Sequence, residues 1–165
     1  MDFSSHDHQH FMREALREAE QAGLAGEIPI GAVIVHNGII IGRGRARHAE
    51  RHSEIAHAEL NALLDAEKYI HDHIHAGIIL YTTVEPCVMC LGAVVMSDVD
   101  HVVFALYDVN IHPEQMLTMP YVRRHIRDYL GGVLAAQSLE LFRRFRPEDR
   151  FFGTDLPARA TPNHP

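Results

Sequence analysis

The sequence has few of the features that mark secreted, membrane-spanning or nucleic-acid-binding chains. Only two of its 165 residues are cysteines, which is too few for the disulfide framework of a small secreted domain. No apolar run reaches the ~18 residues of a membrane span, and the N-terminus lacks a signal-peptide pattern. Acidic residues outnumber basic ones by 22 to 15, which makes nucleic acid a less expected partner. These absences predict a soluble, cytoplasmic protein with no membrane partner.

The length and the hydrophobic content of the chain predict one folded domain. Hydrophobic residues make up 47% of the chain, and this length can bury a core without disulfide bonds. We expect the domain to span residues 1–156. Residues 157–165 contain three prolines and no apolar pattern, so we expect a disordered tail there.

Hydrophobic periodicity predicts strands that alternate with helices, and therefore an α/β fold. Asn37-Gly38 separates two apolar runs, which is a strong hairpin signal. A first helix spans Phe11 to Ala22, with Ser4 or Ser5 as its cap. A helical crossover between the fourth and fifth strands would make them parallel. Further strands are predicted at 78–83, 101–106 and 131–134, and helices at 55–69 (beginning at Ser53 or Glu54), 87–96, 114–130 with a break at Pro120, and 137–146.

Two short motifs carry the chemistry. His57-Ala58-Glu59 lies near the start of one predicted helix, and Pro86-Cys87-Val88-Met89-Cys90 opens another. Two thiolates three positions apart lie on one helix face, and the helix N-terminus favours their deprotonated form. With His57 they make three protein ligands, whereas structural zinc sites usually have four. The fourth position is left for water, so the pattern predicts a catalytic zinc, one per chain.

Glu59 lies two residues after the histidine ligand, close to the metal without being required to bind it. Zinc lowers the pKa of its water towards ~7, and a carboxylate beside it can pass the proton to a leaving amine. We therefore predict that Glu59 is the catalytic proton shuttle. The alternatives are a pair of structural or redox thiols at Cys87 and Cys90, and a surface carboxylate at Glu59.

These motifs form the H-x-E and P-C-x-x-C signature of zinc nucleobase deaminases. From Phe11 to Phe152 the sequence resembles the cytidine deaminase superfamily, in the branch of tRNA adenosine, guanine and fungal cytosine deaminases. The resemblance implies a three-layer α/β/α sandwich with a five-stranded mixed sheet. It also implies zinc between the two motif helices, and a homodimer whose partner helps to wall the pocket.

The sequence departs from this branch where substrate is recognised. Ala46 occupies the position of a substrate-binding Asn, and only Asp108 matches the tRNA enzymes after the fourth strand, where they carry Lys-Thr-Gly. Residues 146–152 resemble the segment that closes over the pocket in fungal cytosine deaminases. We therefore predict that Phe151 and Phe152 form a lid. The candidate substrate contacts are Ala46, Ala58, Asp108, Asn110, Phe151 and Phe152.

Three functions are compatible with these residues. The leading hypothesis is a zinc-dependent hydrolytic deaminase that releases ammonia from an amino-substituted nucleobase, nucleoside or related small heterocycle. The first alternative is a tRNA-specific adenosine deaminase, which shares the chemistry and needs a basic surface. The second is a non-catalytic zinc-binding scaffold of the same fold, which would not need Glu59.

Two further groups of residues have simpler interpretations. Arg43, Arg45, Arg47 and Arg51 could receive a phosphate, or could form a solvated face that pairs with Glu50, Glu54 and their neighbours. The histidine-rich segments at 6–10 and 71–75 are predicted to be a solvated terminus and a loop. In that case they would bind metal only adventitiously.

Overall fold

The computed structural model describes residues 3–108 and 113–148, and these form a five-stranded mixed sheet between two layers of helices. The strands follow the order β2-β1-β3-β4-β5. The predicted α/β/α sandwich is therefore confirmed. The strands are β1 Gly31–His36, β2 Ile39–Arg45, β3 Ile79–Val84, β4 His101–Leu106 and β5 Asp128–Leu130. The helices are α1 His8–Leu24, α2 His48–Arg51, α3 Ala58–Asp65, α4 Glu67–Asp72, α5 Val88–Met96, α6 Pro120–His125 and α7 Ala135–Phe145, with 3₁₀ turns at Phe3–Ser5 and Pro113–Thr118.

The β1–β2 hairpin turns at the predicted dipeptide. Asn37 and Gly38 have φ angles of 50° and 77°, the left-handed conformations that a two-residue turn of this kind requires. The strands pair antiparallel from His36↔Ile39 to Gly31↔Arg45. β1 also pairs antiparallel with β3, so it lies inside the sheet and is buried along its whole length.

β3, β4 and β5 run parallel, as the predicted crossover requires. The predicted position of β5 at 131–134 is wrong, because the strand is Asp128–Leu130. Asp128 pairs with His101 in the β4–β5 register, and its carboxylate lies 2.8 Å from the His101 Nδ1 atom. Gly131 follows the strand, and a side chain there would collide with the Phe104 and Tyr107 rings.

The two sides of the sheet bury separate clusters. The zinc face, covered by α3 and α5, buries Ile34, Leu80 and Phe104. The opposite face, covered by α1 and α7, buries Val33 and Tyr81. On each face a glycine permits close approach of a helix: a Cβ on Gly44 would overlap the α3 backbone, and one on Gly31 would overlap the α1 backbone.

Several predicted helix boundaries are wrong. The cap of α1 is Asp7 rather than Ser4 or Ser5, because the Asp7 carboxylate accepts from the His10 N–H at 2.9 Å. The helix predicted from Ser53 or Glu54 begins at Ala58, and it divides into α3 and α4. The predicted helix at 114–130 consists of a 3₁₀ turn, α6 and β5, with Pro120 at the start of α6.

Some predictions fall outside the described residues. These are the substrate contacts Asn110, Phe151 and Phe152 and the tail at 157–165. Within the described ranges, no helix is both long enough and apolar enough to cross a membrane.

Candidate zinc centre

Two helix N-termini meet at the predicted metal site. His57 is the residue that immediately precedes α3, and Cys87 immediately precedes α5. Cys90 lies in the first turn of α5 and is buried. The helix starts therefore bring His57 next to two cysteines that lie 30 and 33 residues further along the chain.

The distances between the three side chains fit a tetrahedral zinc. The Nδ1 atom of His57 lies 3.7 Å from the Cys87 Sγ atom and 3.5 Å from the Cys90 Sγ atom. Zinc bonds of about 2.3 Å to sulfur and about 2.0 Å to nitrogen at a tetrahedral angle place the sulfur and nitrogen roughly 3.5 Å apart. All three ligand atoms lie within 4.8 Å of one another. The donor set and its geometry both fit zinc.

The pKa values of the two thiols are shifted in opposite directions. Hydrogen bonds from Cys90 and His57 lower the pKa of Cys87 to about 4, although burial opposes the shift. The adjacent Cys87 sulfur and burial raise the pKa of Cys90. Both sulfurs bind a metal as thiolates, so metal binding at this site releases protons.

Glu59 lies beside the ligands inside the protein. Only 4% of its surface is exposed. Its Oε1 atom accepts from the Thr82 hydroxyl at 2.8 Å, and its Oε2 atom accepts from the Cys90 thiol at 3.5 Å. Burial raises the pKa of Glu59, and the Thr82 hydrogen bond partly offsets this rise. A carboxyl group with these partners can hold or release a proton next to the metal.

Thr82 is a site residue that the sequence analysis missed. It lies on β3, is fully buried, and is bonded directly to Glu59. A signal was present, because strand alternation places Thr82 on the same face as Leu80 and opposite to Tyr81. A hydroxyl in the middle of a buried apolar strand needs a partner, and here the partner is Glu59.

The predicted substrate contacts have different surroundings. Ala46 and Ala58 are each 1% exposed, and Ala58 packs in the core on the zinc face. Asp108 is buried after β4, and its N–H donates to Glu85 Oε2 at 3.0 Å. Glu85 also accepts from the Tyr129 hydroxyl at 3.0 Å. Glu85 thus ties the strand that leads to Cys87 to the segment that carries Asp108.

Residues 45–57, called here the 45–57 segment, connect β2 to the metal ligand His57. The Asn61 amide donates to the Arg45 carbonyl at 2.8 Å and to the Ala56 carbonyl at 3.2 Å. Glu27 accepts from the N–H groups of Ala49 and Glu50 at 3.1 and 2.8 Å. Burial favours a higher pKa for Glu27, but these two hydrogen bonds outweigh it and lower the pKa. The segment is therefore fixed at both ends and in the middle.

The arginines before the metal helix are mostly engaged within the protein. Arg43 pairs with Glu14 at 2.8 Å and Glu18 at 3.4 Å, both on α1. Arg47 lies 3.6 Å from Glu50, as the solvated-face interpretation predicts. Arg51 donates to the Asn61 side chain at 3.1 Å. This arrangement favours a structural role over a continuous phosphate site.

The histidine-rich segments differ in exposure: residues 71–75 are exposed, as predicted, whereas His6 and His8 are half-buried. His8 lies in α1 rather than in a solvated terminus, and its Nδ1 atom is 2.9 Å from the Tyr81 hydroxyl. His71 lies in α4. Within the described ranges, only His57, Cys87 and Cys90 form a group of three side chains that could hold a metal.

Comparison with known proteins places the chain in a family. Residues 5–106 match the cytidine and deoxycytidylate deaminase zinc-binding region, so the chain belongs to this family of zinc-dependent hydrolases of C–N bonds. The tRNA-specific adenosine deaminase of Bacillus subtilis is 46% identical over 142 residues, which cover 79% of this chain and 88% of that protein. The protein of that name from Streptococcus pyogenes (serotype M18) is 41% identical over 104 residues, which cover 63% of this chain and 65% of its own length.

Two solved structures have a similar fold. A chain from a study of A-to-I editing by tRNA:A34 deaminases at the wobble position has a TM-score of 0.73 and 32% identity, covering 80% of this chain and 98% of its own. A chain crystallised in complex with 8-azaguanine has a TM-score of 0.74 and 27% identity, covering 84% of this chain and 83% of its own. The resemblance predicted from the two motifs is therefore confirmed, and zinc is the cofactor.

Proposed function

We propose that this protein deaminates an adenine base carried in tRNA, by hydrolysis, in the cytoplasm. The similarity to the Bacillus subtilis tRNA-specific adenosine deaminase carries this proposal, because it extends over most of both chains. The site supports the reaction, since it has three metal ligands and a buried carboxyl group rather than four ligands. This preference reverses the order of the hypotheses drawn from the sequence, where the small heterocycle was the leading one.

In the proposed reaction Glu59 is the catalytic residue that moves protons. Zinc held by His57, Cys87 and Cys90 would supply Lewis-acid activation of a water molecule. Glu59 would pass one proton of that water to the ring nitrogen, and then pass the second proton of that water to the departing amine. Thr82 holds the Oε1 atom of Glu59, which leaves Oε2 on the side of Cys90 and the metal. The products are the oxo-substituted ring and ammonia.

A second candidate is a free aminated base or nucleoside, and two observations favour it. Ala46 has no polar group with which to hold a nucleotide, and its side chain is buried. The chain also carries a formal charge of −7, opposite to that of most proteins that neutralise many phosphates. This candidate keeps the same roles for Glu59 and the metal ligands.

We also propose that the protein forms a homodimer through the outer sides of α3, α4 and α5. A groove of about 450 Å³ lies there, next to both motif helices. Leu64, Ile74 and Met96 line it and are 58%, 55% and 72% exposed. Large apolar side chains that remain exposed around one groove are typical of a protein–protein interface. Sedimentation of the purified protein over a concentration series tests this assignment.

The substrate is tested with two probes. The zinc-loaded protein is incubated with an anticodon stem-loop RNA that carries adenosine at the wobble position, and inosine is measured. In parallel, ammonia release is measured from adenine, guanine, cytosine and their nucleosides. We expect inosine in the RNA, with a rate that falls steeply as salt increases, because phosphate contacts are screened. Deamination of free bases alone, without salt dependence, would overturn the tRNA proposal in favour of the second candidate.

The role of Glu59 is tested with Glu59→Gln. The amide keeps the shape of the side chain and removes its proton-transfer capacity, so turnover should fall by at least about 10²–10⁴-fold while zinc content stays at one equivalent. Glu54→Gln, an exposed carboxylate on the 45–57 segment, is the matched control and should keep full activity. Near-normal kcat in Glu59→Gln would show that the proton transfers belong to another group.

A further inference from the structure

His48 lies against the metal ligand His57, in a segment whose substrate contact is missing. The His48 and His57 rings meet edge to face, with centroids 5.0 Å apart. His48 is half-buried. It is thus a polar side chain next to the zinc centre that has no part in the ligand set or in the proton transfers assigned to Glu59.

The ring nitrogens of His48 have no hydrogen-bond partner among residues 3–108 and 113–148. The Glu27 carboxylate is near enough to interact electrostatically, but its oxygens are occupied by the N–H groups of Ala49 and Glu50. Among the described residues the buried side-chain atoms without a partner belong to Arg45 and Arg47, so the His48 nitrogens remain accessible to a group that arrives from solvent. A ligand in the zinc pocket can supply the missing partner.

Hydrogen bonds fix the backbone on both sides of His48, which limits the positions that its ring can occupy. The Arg47 N–H donates to the Ala56 carbonyl at 3.0 Å, so the residue before His48 is bound to the residue before His57. The Glu27 carboxylate fixes the two residues that follow His48. Side chains held in this way can confer specificity, because little conformational entropy is lost when a ligand binds.

We propose that His48 is a substrate-binding, specificity-determining residue, which hydrogen-bonds the substrate in place of the amide side chain that Ala46 lacks. Ala46 and His48 are two residues apart, and Gly42, Gly44 and Ala46 alternate along β2 and its end towards α3. His48 is the first residue of α2, two positions beyond Ala46, and its ring has a donor and an acceptor. The inference rests on the proposed deaminase reaction, but it holds for either substrate candidate.

Three variants separate hydrogen bonding from packing. His48→Phe keeps an aromatic ring against His57 and removes both nitrogens. His48→Asn gives up the ring and keeps a donor and an acceptor. His52→Asn is the matched control in the same segment, since His52 is exposed and its φ of 49° suits asparagine. Zinc content and Tm are measured for each, followed by kcat and KM on the RNA stem-loop and on free bases.

We expect His48→Phe to lower kcat/KM by about tenfold, mainly through KM, with one zinc per chain and an unchanged Tm. His48→Asn should recover part of the loss, and His52→Asn should match the unsubstituted enzyme. Full activity of His48→Phe would overturn the proposal, and so would loss of zinc, because His48 would then only support His57. If the unsubstituted enzyme converts only a free base, the tRNA proposal fails. The kinetic constants of the His48 variants are then compared on that free base. If it converts neither probe, both fail.

Discussion

Tyr81 and Thr82 are neighbours on β3, yet their side chains belong to opposite sides of the sheet. Thr82 donates to Glu59 on the zinc face, and Tyr81 is bonded to His8 on the opposite face. Both residues are fully buried, and each forms one hydrogen bond with an ionisable side chain. Burial and polarity therefore do not separate a functional contact from a structural one. The difference is that the partner of Thr82 contacts the candidate metal ligand Cys90, whereas the partner of Tyr81 lies on α1.

The largest expected difference between the two faces comes from removing a metal ligand. Cys90→Ala should leave zinc well below one equivalent per chain, abolish activity and lower Tm, because metal binding is coupled to folding. The matched variant is Ser138→Ala, whose hydroxyl donates to the Thr83 carbonyl at 2.7 Å under α7. It should cost about 1 kcal/mol of stability and leave zinc in place. Elemental analysis and calorimetry measure both, and a full zinc equivalent in Cys90→Ala would contradict the assigned ligand.

A second comparison uses the glycines that contact α3 and α1. Gly44→Ala and Gly31→Ala each place a methyl group into a helix backbone, so each should destabilise the fold by about 3 kcal/mol. Only Gly44→Ala displaces the helix that follows His57, so it alone should also weaken zinc binding. Chemical denaturation and competition with a chelator measure the two effects. Equal loss of zinc affinity in both variants would show that the faces are not independent.

The third comparison is made within β3. Thr82→Val removes the hydroxyl that orients Glu59, and we expect kcat to fall about tenfold while KM, zinc content and Tm change little. Thr82→Ser keeps the hydroxyl and should retain activity. Tyr81→Phe removes the bond to His8 and should leave kcat unchanged. If Thr82→Ser loses as much activity as Thr82→Val, shape rather than the hydrogen bond positions Glu59.

The smallest expected effect is a pH dependence on the opposite face. Burial, together with the nearby His6, lowers the pKa of His8 below its ordinary value. The unfolded chain therefore binds this proton more readily than the folded one, and stability should decrease as the pH falls through the ordinary histidine pKa of about 6.5. His8→Gln should reduce the loss of Tm between pH 7.5 and pH 5.5, and zinc content should not change.

The exposed His10, on the same helix, provides the control for that measurement. His10→Gln should leave the pH dependence of Tm as it is in the unsubstituted protein. An identical pH profile in His8→Gln would show that the His8–Tyr81 contact does not contribute.

Local sequence signals predicted the hairpin and the convergence of the candidate metal ligands well. Asn37-Gly38 requires positive φ angles that few residue pairs accept, so it specified the turn without reference to the rest of the fold. The strand at 101–106 was predicted at its observed bounds, because one apolar run covers almost its whole length. The ligands His57, Cys87 and Cys90 were recognisable because metal coordination restricts residue type and spacing.

Features that depend on distant residues were predicted poorly. The helix start at Ala58 depends on Asn61, whose amide binds the carbonyls of Arg45 and Ala56 and keeps the preceding residues out of the helix. The register of β5 depends on the pairing of Asp128 with His101. Contacts of this kind join residues that are far apart in the chain, so no local sequence pattern predicts them.

The turn at Asn37 and Gly38 has a practical consequence. It lies at the end of the β1–β2 hairpin opposite to Ala46, and a side chain added at Gly38 would meet no other atom within 4 Å. A short peptide tag inserted there would project away from the N-termini of α3 and α5, where the candidate zinc ligands lie. Immobilised or dye-labelled enzyme prepared through this turn would keep its pocket open to solution, which suits single-molecule and surface-based assays of substrates as large as a folded RNA.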